Sequence, residues 1–163
     1  MSAAVDTNII LDIILDDIEF YLSSKNLIQK YYAKEALIIS PIVYSELLTQ
    51  FIKRFENSAE EKLKELLKDM GIGIVEFTLK DMARAAQAWN EFTSKTNIKV
   101  IQCSAYGEKQ EILCKKCKKQ IVWRNHLMSD FLIGAHAENN ADTLLSRDNG
   151  FYEKYFNIPI VSS

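Results

Sequence analysis

The sequence predicts a single α/β domain with a parallel sheet of four to five strands and helices on both faces. Three observations predict it. Short apolar runs alternate with stretches of helical periodicity along most of the chain. A length of 163 residues fills one hydrophobic core and leaves little for a second. Two prolines and five glycines are too few for a turn-rich all-β sandwich, a collagen-like chain or a disordered one.

The elements follow in order. Residues 1–5 form a short apolar run closed by Asp6, which reads as a first strand, and residues 9–15 read as a short helix. Residues 20–34 carry Leu22, Leu27, Ile28 and Tyr31 near helical spacing. Residues 36–39 are a buried strand. Ser40 and Pro41 then open a helix as N-cap and first position, and Val43, Leu47, Phe51 and Phe55 continue it at a spacing of four. Residues 59–69 form a helix closed at Gly71. A third strand is expected over 72–77, Ala-rich helices over 80–94 and 125–139, and a fourth strand over 143–146. Arg147-Asp148-Asn149-Gly150 is a turn, 151–156 a short helix and 158–161 a last strand. Residues 95–123 fit neither period and are long for a structureless loop, so they read as an inserted element inside the 1–163 domain.

Apolar residues make up 48% and charged residues 26%, as in a globular fold. The apolar N-terminal stretch is broken by Asp6, Asp12, Asp16 and Asp17, which excludes it as a membrane span. It also lacks the basic start and cleavage site of a signal peptide, so a cytoplasmic protein with reduced cysteines is expected. The net charge of −2 excludes a generally basic nucleic-acid binder, but its distribution is uneven. Residues 94–126 hold eight Lys/Arg against two Glu, a net of +6, which leaves −8 on the rest.

Four carboxylates stand where the pattern does not call for charge. Asp6 directly follows a buried strand, and Glu46 lies one turn into the helix after the second strand. Asp130 sits beside Phe131 in a helix with few other charges, and Asp148 follows the fourth strand. In a parallel sheet, Asp6, Glu46 and Asp148 emerge near one edge, at the carboxyl ends where ligands bind. Clustered carboxylates repel and lose solvation, and a hard cation such as Mg²⁺ or Mn²⁺ relieves both costs. Such an ion holds a phosphate oxygen and acidifies a bound water, which points to phosphodiester hydrolysis. Singly, each acid has a plainer reading: Asp6 as a helix cap, Glu46 as a solvated helix acid, Asp148 as a turn residue. Together on one βα frame, the four argue for a site.

In these pieces the chain resembles the PIN-domain ribonucleases, and among them the VapC-type toxins of toxin–antitoxin pairs. The resemblance is carried by Val5-Asp6-Thr7-Asn8, by Ser40-Pro41-Ile42-Val43-Tyr44-Ser45-Glu46-Leu47, by Asn125 to Ala137 around Asp130, and by Leu145-Ser146-Arg147-Asp148-Asn149-Gly150-Phe151. It covers nearly the whole chain outside 95–123. It implies a three-layer α/β/α PIN fold and Mg²⁺- or Mn²⁺-dependent endonucleolytic cleavage of single-stranded RNA, with Asp6, Glu46, Asp130 and Asp148 as the catalytic, metal-binding acids. It also implies a homodimer and, for a toxin, a small antitoxin partner. An RNA-processing PIN endonuclease and a non-catalytic RNA- or protein-binding PIN module are the alternatives; retention of all four acids argues against the second. Phosphotransfer folds fit less well. An aspartate phosphatase needs a second Asp where Asn8 stands, and a receiver domain needs an acid where Phe77-Thr78-Leu79 stands.

The insertion has chemistry of its own. Cys114-Lys115-Lys116-Cys117 has the spacing of a zinc knuckle. Cys103 offers a third ligand, but Tyr106 occupies the position where a second pair would be completed. His126 is a candidate fourth ligand, or alternatively a residue at the start of the following helix. A structural Zn²⁺ and a ribbon that has lost its metal are the two readings. Lys115, Lys116, Lys118, Lys119 and Arg124 surround the knuckle and suit RNA phosphates, with Tyr106 or Trp123 stacking on bases; a solvated basic face is the plainer alternative.

Overall fold

A computed structural model gives the fold and describes residues 1–95, 101–102, 109–110, 115–116 and 128–162. The chain runs β1 (Ser2–Val5), α1 (Thr7–Ile14), α2 (Tyr21–Tyr32), β2 (Ala36–Ile39), α3 (Pro41–Phe55), a 3₁₀ turn (Glu56–Ser58), α4 (Ala59–Asp69), β3 (Ile72–Ile74) and α5 (Leu79–Lys95). After the insertion, which holds β4 (Ile101–Gln102) and β5 (Lys109–Gln110), come α6 (Met128–Asn140), β6 (Thr143–Leu145), α7 (Asn149–Tyr155) and β7 (Ile160–Val161).

Five strands form one parallel sheet in the order β3-β2-β1-β6-β7. Ala4 lies opposite Ile38 on one side and Leu144 on the other, so β1 is central. Ala3, Ala4 and Val5 are buried, and the near-continuous apolar strands are those of a sheet covered on both faces. Right-handed crossovers place α1–α4, which lead outward from β1 to β3, on one face. They place α5–α7, which return to β6 and lead on to β7, on the other. There Phe131 of α6 is the hub of an aromatic cluster, with its ring 5.0 Å from Phe151, 5.3 Å from Trp89 and 5.4 Å from Phe92. Gly134 lets the Phe156 ring lie against α6, because any Cβ there would collide with that ring.

Local chemistry sets the ends of the elements. Ser40 caps α3, its hydroxyl accepting from the Val43 N–H at 3.3 Å with Pro41 in the first turn. Gly71 closes α4 at a φ of 65°, a conformation that costs glycine little. Thr78 and Asp81 form a reciprocal cap on α5: Thr78 N–H donates to Asp81 Oδ2 at 2.7 Å, and Asp81 N–H to Thr78 Oγ1 at 3.3 Å. The other Asp81 oxygen accepts from Asn139 and Asn140 at 2.8 and 3.2 Å, which ties α5 to α6. Burial alone would raise the Asp81 carboxyl, but these hydrogen bonds and the nearby His136 outweigh it and hold it below the usual value.

The boundaries differ from expectation in instructive places. The third strand stops at Ile74 rather than Phe77, because the Val75 carbonyl is taken by His136 Nε2 at 2.8 Å and the chain turns toward α6. The fourth stops at Leu145, although the Ser146 N–H still donates to the Val161 carbonyl at 3.1 Å. The first helix begins at Thr7, two residues early, directly on its Asp6 cap. The last helix spans Asn149–Tyr155, so the expected turn residues Asn149 and Gly150 open it. The insertion, expected to follow neither period, contains an antiparallel pair with Ile101 opposite Gln110 and Gln102 opposite Lys109. Among the described residues no helix is long and apolar enough to cross a membrane.

Candidate active site

The direction of chain travel changes between β1 and β6: β2 and β3 extend one side of the sheet, β7 the other. Such a switch point opens a crevice at the carboxyl ends of the strands. Asp6 directly follows β1 there and Ser146 directly follows β6, and the Asp6 N–H donates to the Leu145 carbonyl at 2.9 Å.

Asp6 is both a helix cap and the centre of a polar cluster. Its Oδ1 accepts from the Thr7 N–H at 2.7 Å, and its Oδ2 from Asn8 Nδ2 at 2.7 Å and the Ser146 hydroxyl at 2.6 Å. Ser146 Oγ in turn accepts from the Asp148 N–H at 3.0 Å. Thr7 turns its hydroxyl the other way and donates to Glu46 Oε2 at 2.5 Å, so one residue links the acid of β1 to the acid of α3. Asn8 Oδ1 accepts from the Arg147 N–H at 3.3 Å. Thr7 and Asn8 thus orient the Asp6 carboxylate from both oxygens.

The electrostatics bring the acids together. Asp6 is 5% exposed, and its carboxyl is pushed from 3.8 to about 6. Burial is the main cause; the Ser146 and Thr7 hydrogen bonds oppose it, and the charges of Asp130 and Glu46 add to it. Tyr152, 2% exposed on α7, is held well above the ordinary tyrosine value, first by burial and then by Asp6, Asp130, Asp148 and Glu46. One phenol thus lies within electrostatic reach of all four acids. Sequence reading missed it; its signal is the one-turn spacing from Asp148. Asp130 occupies the first turn of α6, where the helix dipole favours a carboxylate, and is half-buried, as is Glu46, while Asp148 is exposed.

The donor set fits a hard cation. A buried carboxylate repelled by half-buried neighbours carries an excess of negative charge that a divalent ion offsets. Among the described residues no three His, Cys, Asp or Glu side chains converge tightly enough to enclose an ion alone. Cys103, Cys114, Cys117, His126, Lys118, Lys119, Arg124, Tyr106 and Trp123 lie outside the described residues. Lys115 and Lys116 are described, and both are exposed at a turn.

The description "PIN domain" matches residues 3–157. The chain belongs to the PIN domain family. A comparison with curated proteins finds no significant match. Solved structures with the same fold include VapBC-1 from nontypeable Haemophilus influenzae, at TM-score 0.66 and 14% identity over 99% of this chain and 98% of that one. A toxin–antitoxin complex from Klebsiella pneumoniae gives 0.60 and 16% over 98% and 95%. VapC20 of Mycobacterium tuberculosis, described as a Sarcin-Ricin loop cleaving toxin, gives 0.54 and 14% over 95% and 96%. At these identities the likeness is one of fold.

Proposed function

We propose that this PIN-domain protein is a Mg²⁺- or Mn²⁺-dependent endoribonuclease that cleaves single-stranded RNA and acts as the toxin of a VapBC-type pair. The carrying observation is Asp6: a buried carboxylate at the switch point of a PIN fold, raised to about 6, with Asp130 and Glu46 close enough to raise it further. A bound divalent ion supplies charge neutralisation for a phosphate and a more acidic water. The protein's part is positioning. Asn8, Ser146 and the Thr7 N–H fix the Asp6 carboxylate, and the Thr7 hydroxyl fixes Glu46. Asp148 is exposed and thus accessible to a bound strand.

The toxin reading rests on the VapBC and toxin–antitoxin proteins that share the fold. Exposed Leu15, Ile18 and Leu22, on the α1–α2 hairpin, add an apolar surface of the kind partners cover. An antitoxin, a homodimer and a cytoplasmic setting belong to the same proposal, as does a structural Zn²⁺ in the insertion.

The test is cleavage of a labelled single-stranded RNA by the purified protein with Mn²⁺, with EDTA, and after Asp6→Asn or Asp130→Asn. Cleavage is expected only with metal and only in the wild type, with unchanged circular dichroism in both variants. Full activity in either variant, once contaminating nuclease is excluded, overturns the assignment.

A further inference from the structure

Arg147 stands between Ser146 and Asp148, and its side chain reaches the α1–α2 hairpin. Its Nη2 lies 2.8 Å from Asp12 Oδ1 on α1. Asp12 is 3% exposed, and its second oxygen accepts from the buried Ser24 hydroxyl of α2 at 2.7 Å. The guanidinium also stacks over Phe20, 4.2 Å from the ring centroid. The Arg147 backbone is held separately, its N–H donating to Asn8. Segment 146–148 is thus tied to the site through Ser146 and through the Arg147 N–H, and the Arg147 side chain adds a separate tie to the α1–α2 hairpin.

We propose that Arg147 is a positioning residue: its pairing with buried Asp12 fixes the segment that carries Asp148, and so sets that carboxylate against the other three. The inference rests on the metal-nuclease reading. Asp12 left without its cation would be a buried carboxylate lacking its counter-ion, so the two ends of the pair respond together. An ammonium keeps the charge but not the planar pairing and stacking of a guanidinium, so it replaces it only in part. A direct contact between Arg147 and an RNA phosphate is the competing role, since the side chain keeps a third of its surface.

The experiment uses the full chain and Mn²⁺ as the probe, with bound metal followed by the electron paramagnetic resonance of the free ion. Wild type, Asp148→Asn, Arg147→Gln, Arg147→Lys, Asp12→Asn and the Arg147→Gln/Asp12→Asn pair are titrated, each first checked for folding by circular dichroism. Arg147→Gln and Asp12→Asn are expected to weaken Mn²⁺ binding by on the order of tenfold, the scale of a lost outer support of a ligand. The double variant should lose no more than either single one, and Arg147→Lys should recover part of the loss. Amide exchange at 146–149 in the metal-free variants should speed up while α4 is unchanged, a readout independent of activity. Should Arg147→Gln fail to fold, Arg147→Lys and Asp12→Asn carry the test. Wild-type Mn²⁺ affinity in both single variants, with only the RNA KM raised in Arg147→Gln, overturns the inference and assigns Arg147 to RNA. Absence of Mn²⁺ binding by the wild type itself overturns the metal reading, and this inference with it.

Discussion

Replacing Asp6 with Asn separates the charge of the site from its shape. In the metal-free protein the Asp6 carboxyl titrates at about 6 instead of 3.8, mainly because it is buried. A folded value above the unfolded one means the folded chain holds the proton more tightly. The ionised form is therefore penalised, by about 3 kcal/mol once both states are ionised. That penalty is fully present above the folded value, about half remains near pH 5, and it disappears below the unfolded value. Asn carries no charge and escapes it. It also loses hydrogen bonds, since Asp6 accepts from Thr7, Asn8 and Ser146 through two oxygens and Asn offers only one. A donor left facing the new amide costs about 1–3 kcal/mol. The variant should thus lie between unchanged and about 2 kcal/mol more stable near pH 7.5, at about 2–4 °C per kcal/mol for this size. The hydrogen-bond loss does not vary with pH, but the charge penalty does. The stability difference should therefore fall by roughly 1.4 kcal/mol between about pH 7.5 and about pH 5. Urea unfolding of both proteins in EDTA at the two pH values measures it. A difference that stays flat across that interval refutes the buried, destabilised carboxylate.

Three further outcomes are expected. Asp81→Ala removes the α5 cap and the acceptor of Asn139 and Asn140, which should cost about 2–4 kcal/mol in thermal unfolding; an unchanged melting temperature counts against the tie between α5 and α6. Native mass spectrometry should find about one zinc per chain, released by Cys114→Ser with the far-ultraviolet spectrum largely kept; a fully reduced, zinc-free protein points instead to a ribbon without metal. Replacing Lys115, Lys116, Lys118 and Lys119 with Gln should lower the salt dependence of RNA affinity by about two to three units of slope if most of them touch phosphates. Identical slopes would turn that face toward a protein.

The parallel sheet was legible because each strand is short, apolar and bounded by a capping or turn residue. Asp6, Ser40 and Gly71 mark ends that the structure keeps. The acids were legible because charge beside a buried strand is costly and needs a reason. Other features were hidden because they depend on pairing across the chain. Val75 looked like strand until His136, 61 residues away, claimed its carbonyl. Tyr152 reads as a core aromatic, and only the fold brings it among four carboxylates. Asp12 looked like an interruption in an apolar stretch, but its partner is Arg147, far along the chain.

The acids occupy a gradient from core to rim, and that gradient carries a consequence. Asp6 is held from three directions at the end of a central strand, so its geometry is set before any ion arrives. Asp148 lies exposed, its backbone N–H held by Ser146. For the proposed polyanionic substrate, the inner carboxylate is the rigid one and the outer one leaves room for the strand. The same polyanion is repelled by a body carrying −8, and the compensating +6 lies in residues 94–126, immediately before the helix that bears Asp130. In the proposed reading, attraction and cleavage are thus divided between neighbouring parts of one chain. Changes in the basic segment should act on RNA affinity, and changes around Asp6 on turnover.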